Sequence, residues 1–174
     1  MNSRMTSQPH HSIPAMVPPA NCFTVLVIDD MLPNRVLLRK VLKNAGYAVL
    51  EASNGIEALD LLRSQHLNPD LIVTDIEMPV MSGITLIEQV RYLNTAVAQV
   101  PVIAASGNAD EAMRVQAIEA GADVFMTKPF DLGALRGEIA RLIKARRKGG
   151  AIRSQSNLLV SPANRVEERV REAG

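Results

Sequence analysis

From Phe23 onward, short apolar runs alternate five times with segments of helical period, and nothing else in the chain constrains its fold so tightly. The runs cover residues 24–28, 48–51, 71–74, 102–104 and 124–126 and are almost free of polar residues. Between them, Pro33 opens a helical segment with Val36, Leu37, Val41 and Leu42 on one stripe, and Gly46 stops it. Asn54 precedes a second segment carrying Ile56, Leu59 and Leu62, and Ser82 precedes a third. A fourth has Asp110 and Glu111 where the positive end of the helix dipole favours them and ends at Gly121, and Asp131 caps a fifth whose cations lie at the far end. Strands this apolar, each followed by a helix, predict a parallel sheet covered on both faces: an α/β, doubly wound fold.

At 174 residues the chain has room for one domain of ordinary size with tails. Residues 1–22 are rich in Ser, Pro, His and Met without an apolar period, and read as a disordered arm; His10 and His11 within it read as polar filler. The domain is expected over 23–147, followed by a flexible basic tail over 148–174 with a possible short helix at 162–170. Charge divides along the same line: residues 23–144 hold 11 Lys and Arg against 15 Asp and Glu, whereas 145–174 hold 7 against 3. An acidic body argues against direct nucleic-acid binding, and the basic cluster of Lys144, Arg146, Arg147, Lys148 and Arg153 reads as a solvated helix end. No run approaches the roughly 18 apolar residues of a membrane helix, so no membrane partner is expected. The lone Cys22 allows no internal disulfide, which suits the cytoplasm.

In doubly wound sheets ligands sit beyond the carboxyl ends of the strands. Asp29 and Asp30 end the first run, Asp75 follows the third, Ser106 the fourth and Lys128 the fifth, so all are expected at one edge. Two unit charges about 4 Å apart repel by roughly 4 kcal/mol at an effective dielectric near 20, and three carboxylates must be neutralised. Protonation, the Lys128 ammonium or a divalent cation could do it, and an all-oxygen site suits Mg²⁺. Given a phosphorylated donor, Asp75 could attack phosphorus while Mg²⁺, Lys128 and the Ser106 hydroxyl hold the phosphoryl oxygens. Taken singly, the Asp29–Asp30 pair reads first as a turn or cap, Asp75 as readily as an Asx-turn residue, and Ser106 as a loop hydroxyl; their coincidence at strand ends is what points to shared chemistry.

The stretches "VLVIDD", "DLIVTDIEMPVMSG", "PVIAASG" and "GADVFMTKPF" occur in an order and spacing that resemble the receiver domain of two-component response regulators, over about residues 23–145. The resemblance implies a five-stranded sheet in the flavodoxin-like order 2-1-3-4-5, which general accounts of this fold illustrate with the chemotaxis member of the same family. It further implies that Asp75 is the phosphoacceptor, that Asp30, Asp75 and the backbone carbonyl of Glu77 ligate Mg²⁺, and that Asp29 acts through a metal-bound water. Ser106 and Phe125 correspond to the family's switch pair, and Lys128 precedes Pro129 in what is usually a cis peptide.

Ser106 stands where threonine is more frequent and Phe125 where tyrosine is, so the hydroxyl at 106 is kept and a phenolic hydroxyl at 125 is lost. Glu77 and Asn108, each two residues beyond a site residue, are expected to set the lifetime of the phosphoryl group. The implied activity is acceptance of a phosphoryl group from a histidine kinase or histidine phosphotransfer protein, followed by a switch in the surface of the fourth helix, fifth strand and fifth helix, where a downstream protein would bind. Such a chain is not an enzyme beyond its own phosphorylation and slow autodephosphorylation. The 30 residues from 145 onward are too few for a DNA-binding output module, so a stand-alone receiver that switches partners or relays phosphate is expected. Two alternatives share parts of the pattern: a phosphorylation-independent adapter, and a phosphatase using an aspartyl phosphate, whose D-x-D motif would fall on the first strand rather than after the third. A flavodoxin would cradle phosphate after the first strand, where this chain places two anions.

Overall fold

The structure, a computed structural model, describes residues 23–64, 68–108 and 110–150. The expectations for the 1–22 arm with His10, His11 and Cys22, and for the tail from 151 with its 162–170 helix, lie outside the described residues. Five strands alternate with five helices in chain order: β1 (Thr24–Ile28), α1 (Leu32–Asn44), β2 (Ala48–Ala52), α2 (Gly55–Arg63), β3 (Leu71–Asp75), α3 (Gly83–Arg91), β4 (Val102–Ser106), α4 (Glu111–Glu119), β5 (Val124–Thr127) and α5 (Leu132–Gly150). The strands are parallel in the order β2-β1-β3-β4-β5. The expected fold class and order are both found.

Alternation along each strand sends successive side chains to opposite faces, and the two faces build two cores. Val25, Val27, Leu71, Val73 and Ile103 face α1 and α5, meeting Leu38, Leu42, Leu135 and Ile139. Leu26, Ile28, Ile72, Val102 and Ala104 face the other way, onto Leu59, Leu62, Leu86, Ile87 and Val90. Each buried Val, Leu or Ile among them contributes about 1.5–3 kcal/mol by leaving water. The central strands β1, β3 and β4 therefore cannot slip by one residue without turning both cores inside out.

Local chemistry explains where the helices begin. Asn54 Oδ1 accepts the Glu57 N–H at 2.9 Å, while Glu57 reaches back to the N–H and hydroxyl of Ser53 at 2.7 and 2.6 Å, a reciprocal arrangement close to a capping box. Ser82, Asp110 and Asp131 accept backbone N–H groups in the first turns of α3, α4 and α5. Pro33 falls at the second position of α1, where no helical donor is lost.

Four details differ from the sequence reading. The buried face of α1 is Leu38 and Leu42, with Val36 and Leu37 exposed, because the sheet is met by the row one position further round the helix. Strands β3 and β4 extend to Asp75 and Ser106 themselves, so these residues end their strands rather than follow them. A 3-10 turn at Ala96–Gln99, unforeseen, buries Val97 beneath the entry to β4. The basic end of α5 is only partly a solvated one: the Arg146 guanidinium donates to the carbonyls of Pro69 and Asp70, and Arg147 lies 4.6 Å over the Phe23 ring.

Candidate functional site

The carboxyl ends of β1, β3, β4 and β5 come together, as the alternation requires. Asp29 follows β1 and is buried; Asp75 ends β3 and is buried; Asp30 is exposed at the rim. Ligand oxygens of the three lie within 4.8 Å of one another. The chain turns tightly here because Asp29 Oδ1 accepts the Met31 N–H at 2.9 Å and Asp75 Oδ1 accepts the Glu77 N–H at 3.1 Å. The turn roles and the clustering are thus compatible: each carboxylate shapes its own loop and still faces the others. Gly83 makes the arrangement possible at β3, since a Cβ there would collide with the Asp75 carbonyl and would stand 2.8 Å from the Ile76 Cα.

Lys128, the residue after β5, closes the group from the far side. Its Nζ donates to Asp29 Oδ2 at 2.8 Å and to Asp75 Oδ2 at 2.6 Å. Burial pushes the Asp75 carboxyl above its ordinary range, although Lys128 and the Glu77 N–H pull it back. Burial opposes the charge on Lys128, but its bonds to Asp29 and Asp75 outweigh that and hold the ammonium above the usual lysine value. One ammonium against three carboxylates leaves two negative charges, which a single divalent cation would cancel. The oxygens are hard donors, and Asp30 at the rim leaves room for water, so the donor set fits Mg²⁺.

Two residues of α1 complete the acidic end and escaped the sequence reading. The Asn34 side-chain amide donates to both Asp29 oxygens at 3.1 Å, and Arg35 donates to the Asp29 and Asp30 carbonyls at 2.7 and 3.2 Å. With Met31 and Lys128 as further donors, the Asp29 carboxylate is fully engaged by protein, whereas among the described residues no hydrogen bond reaches that of Asp30. The signal was the position of Asn34, in the first turn of the helix that follows the acidic pair.

On the opposite side, Ser106 is completely buried and its Oγ accepts the Asn108 N–H at 2.9 Å. The Glu77 carboxylate crosses to the end of β4, where Oε2 accepts the Gly107 N–H at 2.7 Å and lies 3.3 Å from Ser106 Oγ. Asn108 turns elsewhere, its Oδ1 accepting the Asp110 N–H at 3.0 Å. Phe125 sits half-buried on β5 against the core beneath α3 and α4. The Lys128–Pro129 peptide is cis. Beside the pocket, a cavity of about 410 Å³ runs between α1 and the start of α5, lined by Leu37, Leu38, Pro129, Phe130 and Leu132 together with Asp29, Asn34 and Lys128.

A doubly wound sheet in this order, with three acids and a lysine gathered at its carboxyl edge, defines a class of phosphoryl-accepting signalling domains. Comparison with known proteins makes the class definite: the response regulator receiver domain matches residues 25–140, and the chain belongs to that family. It is 37% identical over 107 residues to the chemotaxis protein CheY of Thermotoga maritima, covering 61% of this chain and 85% of CheY. It is 30% identical over 119 residues to sporulation initiation phosphotransferase F of Bacillus subtilis, covering 68% of this chain and 92% of the relative. A match of 38% identity to the sensor histidine kinase CheAY of Helicobacter pylori covers 70% of this chain but spans only 15% of the kinase. Among solved structures, a Francisella response regulator receiver domain superposes with a TM-score of 0.65 at 30% identity, covering 70% of this chain and 97% of that one. A receiver protein from Pseudomonas putida does so at 0.63 and 33% identity, covering 71% and 98%. Receiver domains are non-catalytic signalling domains that accept phosphate from histidine kinases or phosphotransfer proteins. Among the described residues no helix is long and apolar enough to cross a membrane.

Proposed function

We propose that this chain is a phosphorylation switch of the cytoplasm, in which Asp75 accepts a phosphoryl group from a phosphohistidine on a kinase or phosphotransfer protein. An Asp75 oxygen forms the new bond to phosphorus as the phosphorus–nitrogen bond of the donor breaks. The electron pair returns to the imidazole nitrogen, which takes a proton from solvent. Asp30, Asp75 and the Glu77 carbonyl would hold Mg²⁺, with Asp29 acting through water; its carboxylate, already bound by Met31, Asn34 and Lys128, suits an indirect role. When bound, Mg²⁺ supplies positive charge to the phosphoryl oxygens as negative charge develops on them. Lys128 neutralises the acids beforehand and then holds one phosphoryl oxygen, and the Ser106 hydroxyl takes another. Glu77 and Asn108 bear on the lifetime of the product.

Closure of Ser106 on the phosphoryl group and repacking of Phe125 would alter the surface of α4, β5 and α5, where a downstream protein binds. A shift from 1:99 to 99:1 between the two arrangements needs about 5.5 kcal/mol, which several charge-assisted hydrogen bonds to one dianion can supply. The donor would approach over the exposed Met31, Leu32 and Leu37 of the α1 end and the adjoining cavity, which is lined by Asp29 and Lys128 of the pocket. Relay of phosphate or partner switching is the output, in keeping with the phosphotransferase named among the relatives.

The observation that carries this reading is Lys128 Nζ bridging Asp29 and Asp75 across the ends of three strands. Incubation with acetyl phosphate and Mg²⁺ should add the mass of one phosphoryl group to the wild type and none to Asp75→Asn. An equal gain in the variant, or none in either, removes Asp75 from the role.

A further inference from the structure

The Glu77 side chain is the charged group of the pocket to which the acceptor chemistry gives no direct task. Its backbone N–H is anchored to Asp75 Oδ1, so residue 77 is fixed beside the acceptor while its carboxylate spans to β4. There a single oxygen, Oε2, collects the Gly107 N–H at 2.7 Å and the Ser106 hydroxyl at 3.3 Å. It lies so near that a Cβ at position 107 would stand 3.2 Å from it.

Ser106 has one hydrogen to donate, and its lone pairs are already partly used by the Asn108 N–H. A completely buried hydroxyl cannot turn to solvent for relief. Its O–H therefore serves either the Glu77 carboxylate or a phosphoryl oxygen, and the two anions cannot share it without repelling each other at close range. The adjacent Gly107 N–H points to the same place and is subject to the same choice. Glu77 is exposed, so its carboxylate can leave for water without disturbing either core.

We propose that the Glu77 carboxylate is an internal stand-in for the phosphoryl group, occupying the Ser106 hydroxyl and the Gly107 N–H until a phosphoryl group on Asp75 displaces it. The inference rests on the reading of Asp75 as acceptor and Ser106 as phosphoryl ligand. It makes Glu77 a positioning residue: the donors are kept paired and pre-aimed at an anion, and every loading event must first expel the resident one. Its effect is on how readily the pocket takes a phosphoryl group, not on whether Asp75 can react.

The test uses the full chain as wild type, Glu77→Ala, Glu77→Gln and Asp75→Asn, with beryllium fluoride plus Mg²⁺ as a phosphoryl mimic and acetyl phosphate as donor. Without metal, Glu77→Ala should shift the Gly107 amide resonance and speed its hydrogen exchange, as a donor that has lost its partner does. With the mimic, Glu77→Ala should bind about tenfold more tightly than wild type, as expected for removing a competing charged hydrogen bond, and load from acetyl phosphate correspondingly faster. Glu77→Gln, which keeps an acceptor but not the charge, should fall between. Affinity and the Gly107 amide both unchanged in Glu77→Ala, or a weaker affinity, overturn the proposal while phosphoryl uptake by wild type and not by Asp75→Asn leaves the acceptor reading standing. Failure of wild type to take up mimic or phosphoryl overturns both.

Discussion

Asp75 is held in an environment that disfavours its charge, and this has a measurable sign. Burial raises its folded carboxyl value above the unfolded one. A raised acid contributes stability below the ordinary aspartate range and loses it as pH rises through the folded value, so above that value the ionised side chain is a net cost to the fold. Asp75→Asn should therefore make the metal-free protein more stable than wild type at neutral pH in urea unfolding. Mg²⁺ should reverse the ranking by stabilising wild type, by about 2.7 kcal/mol at 100 times its dissociation constant, and the variant much less. A less stable variant without metal, or equal gains from Mg²⁺, would contradict the balance of charges described for the pocket. The residues responsible were readable in sequence because three acids, a hydroxyl and a lysine fall together at strand ends, although each alone passes for a turn or loop residue. Asn34 and Arg35 were not, since an amide and a guanidinium in the first turn of a helix are ordinary there. The same holds for Val80, which adopts a φ of 70°, a left-handed conformation that a β-branched side chain does not announce.

At the scale of elements, helix starts are chemical and were legible: Asn54, Ser82, Asp110 and Asp131 all accept first-turn N–H groups. The α2 start is also titratable. Hydrogen bonds from the Ser53 hydroxyl and N–H draw Glu57 below the ordinary glutamate value. A depressed acid contributes stability above its unfolded value and loses it as pH falls through the folded one. Glu57→Gln should accordingly cost a few tenths of a kcal/mol at pH 7, small because the group is exposed, and the difference from wild type should vanish below the glutamate range. A difference that stays constant from pH 7 to pH 3 would exclude the cap as its source. Which face an element buries was less legible. Apolar residues occupy more of the α1 circumference than the sheet can cover, so Val36 and Leu37 looked like core and Leu38 took the place. Contacts between distant segments were not legible at all. Arg91 donates to the carbonyls of Ala98, Val100 and Gly121, tying the end of α3 to the entries of β4 and β5, and nothing in the local sequence foretells a partner 30 residues away.

The molecule as a whole is polarised along its strands. Chemistry collects where the strands finish, and at their other end Phe23, just ahead of β1, lies beneath Arg147 near the end of α5, while Arg146 reaches the approach to β3. Arg146 and Arg147, which open the basic stretch of the sequence, meet the acidic body at that same end. The first and last turns of the described body are thus fastened side by side, a sheet's length from Asp75. A fluorophore or surface tether joined through the segments flanking residues 23–150 should leave the rate of acetyl phosphate uptake within twofold of the untagged chain; a large loss would mean that those segments fold back over the pocket. For anyone wishing to mount this chain on a bead, an electrode or another protein, Arg147 stacked on Phe23 marks the handle, at the end of the sheet away from the acidic pocket.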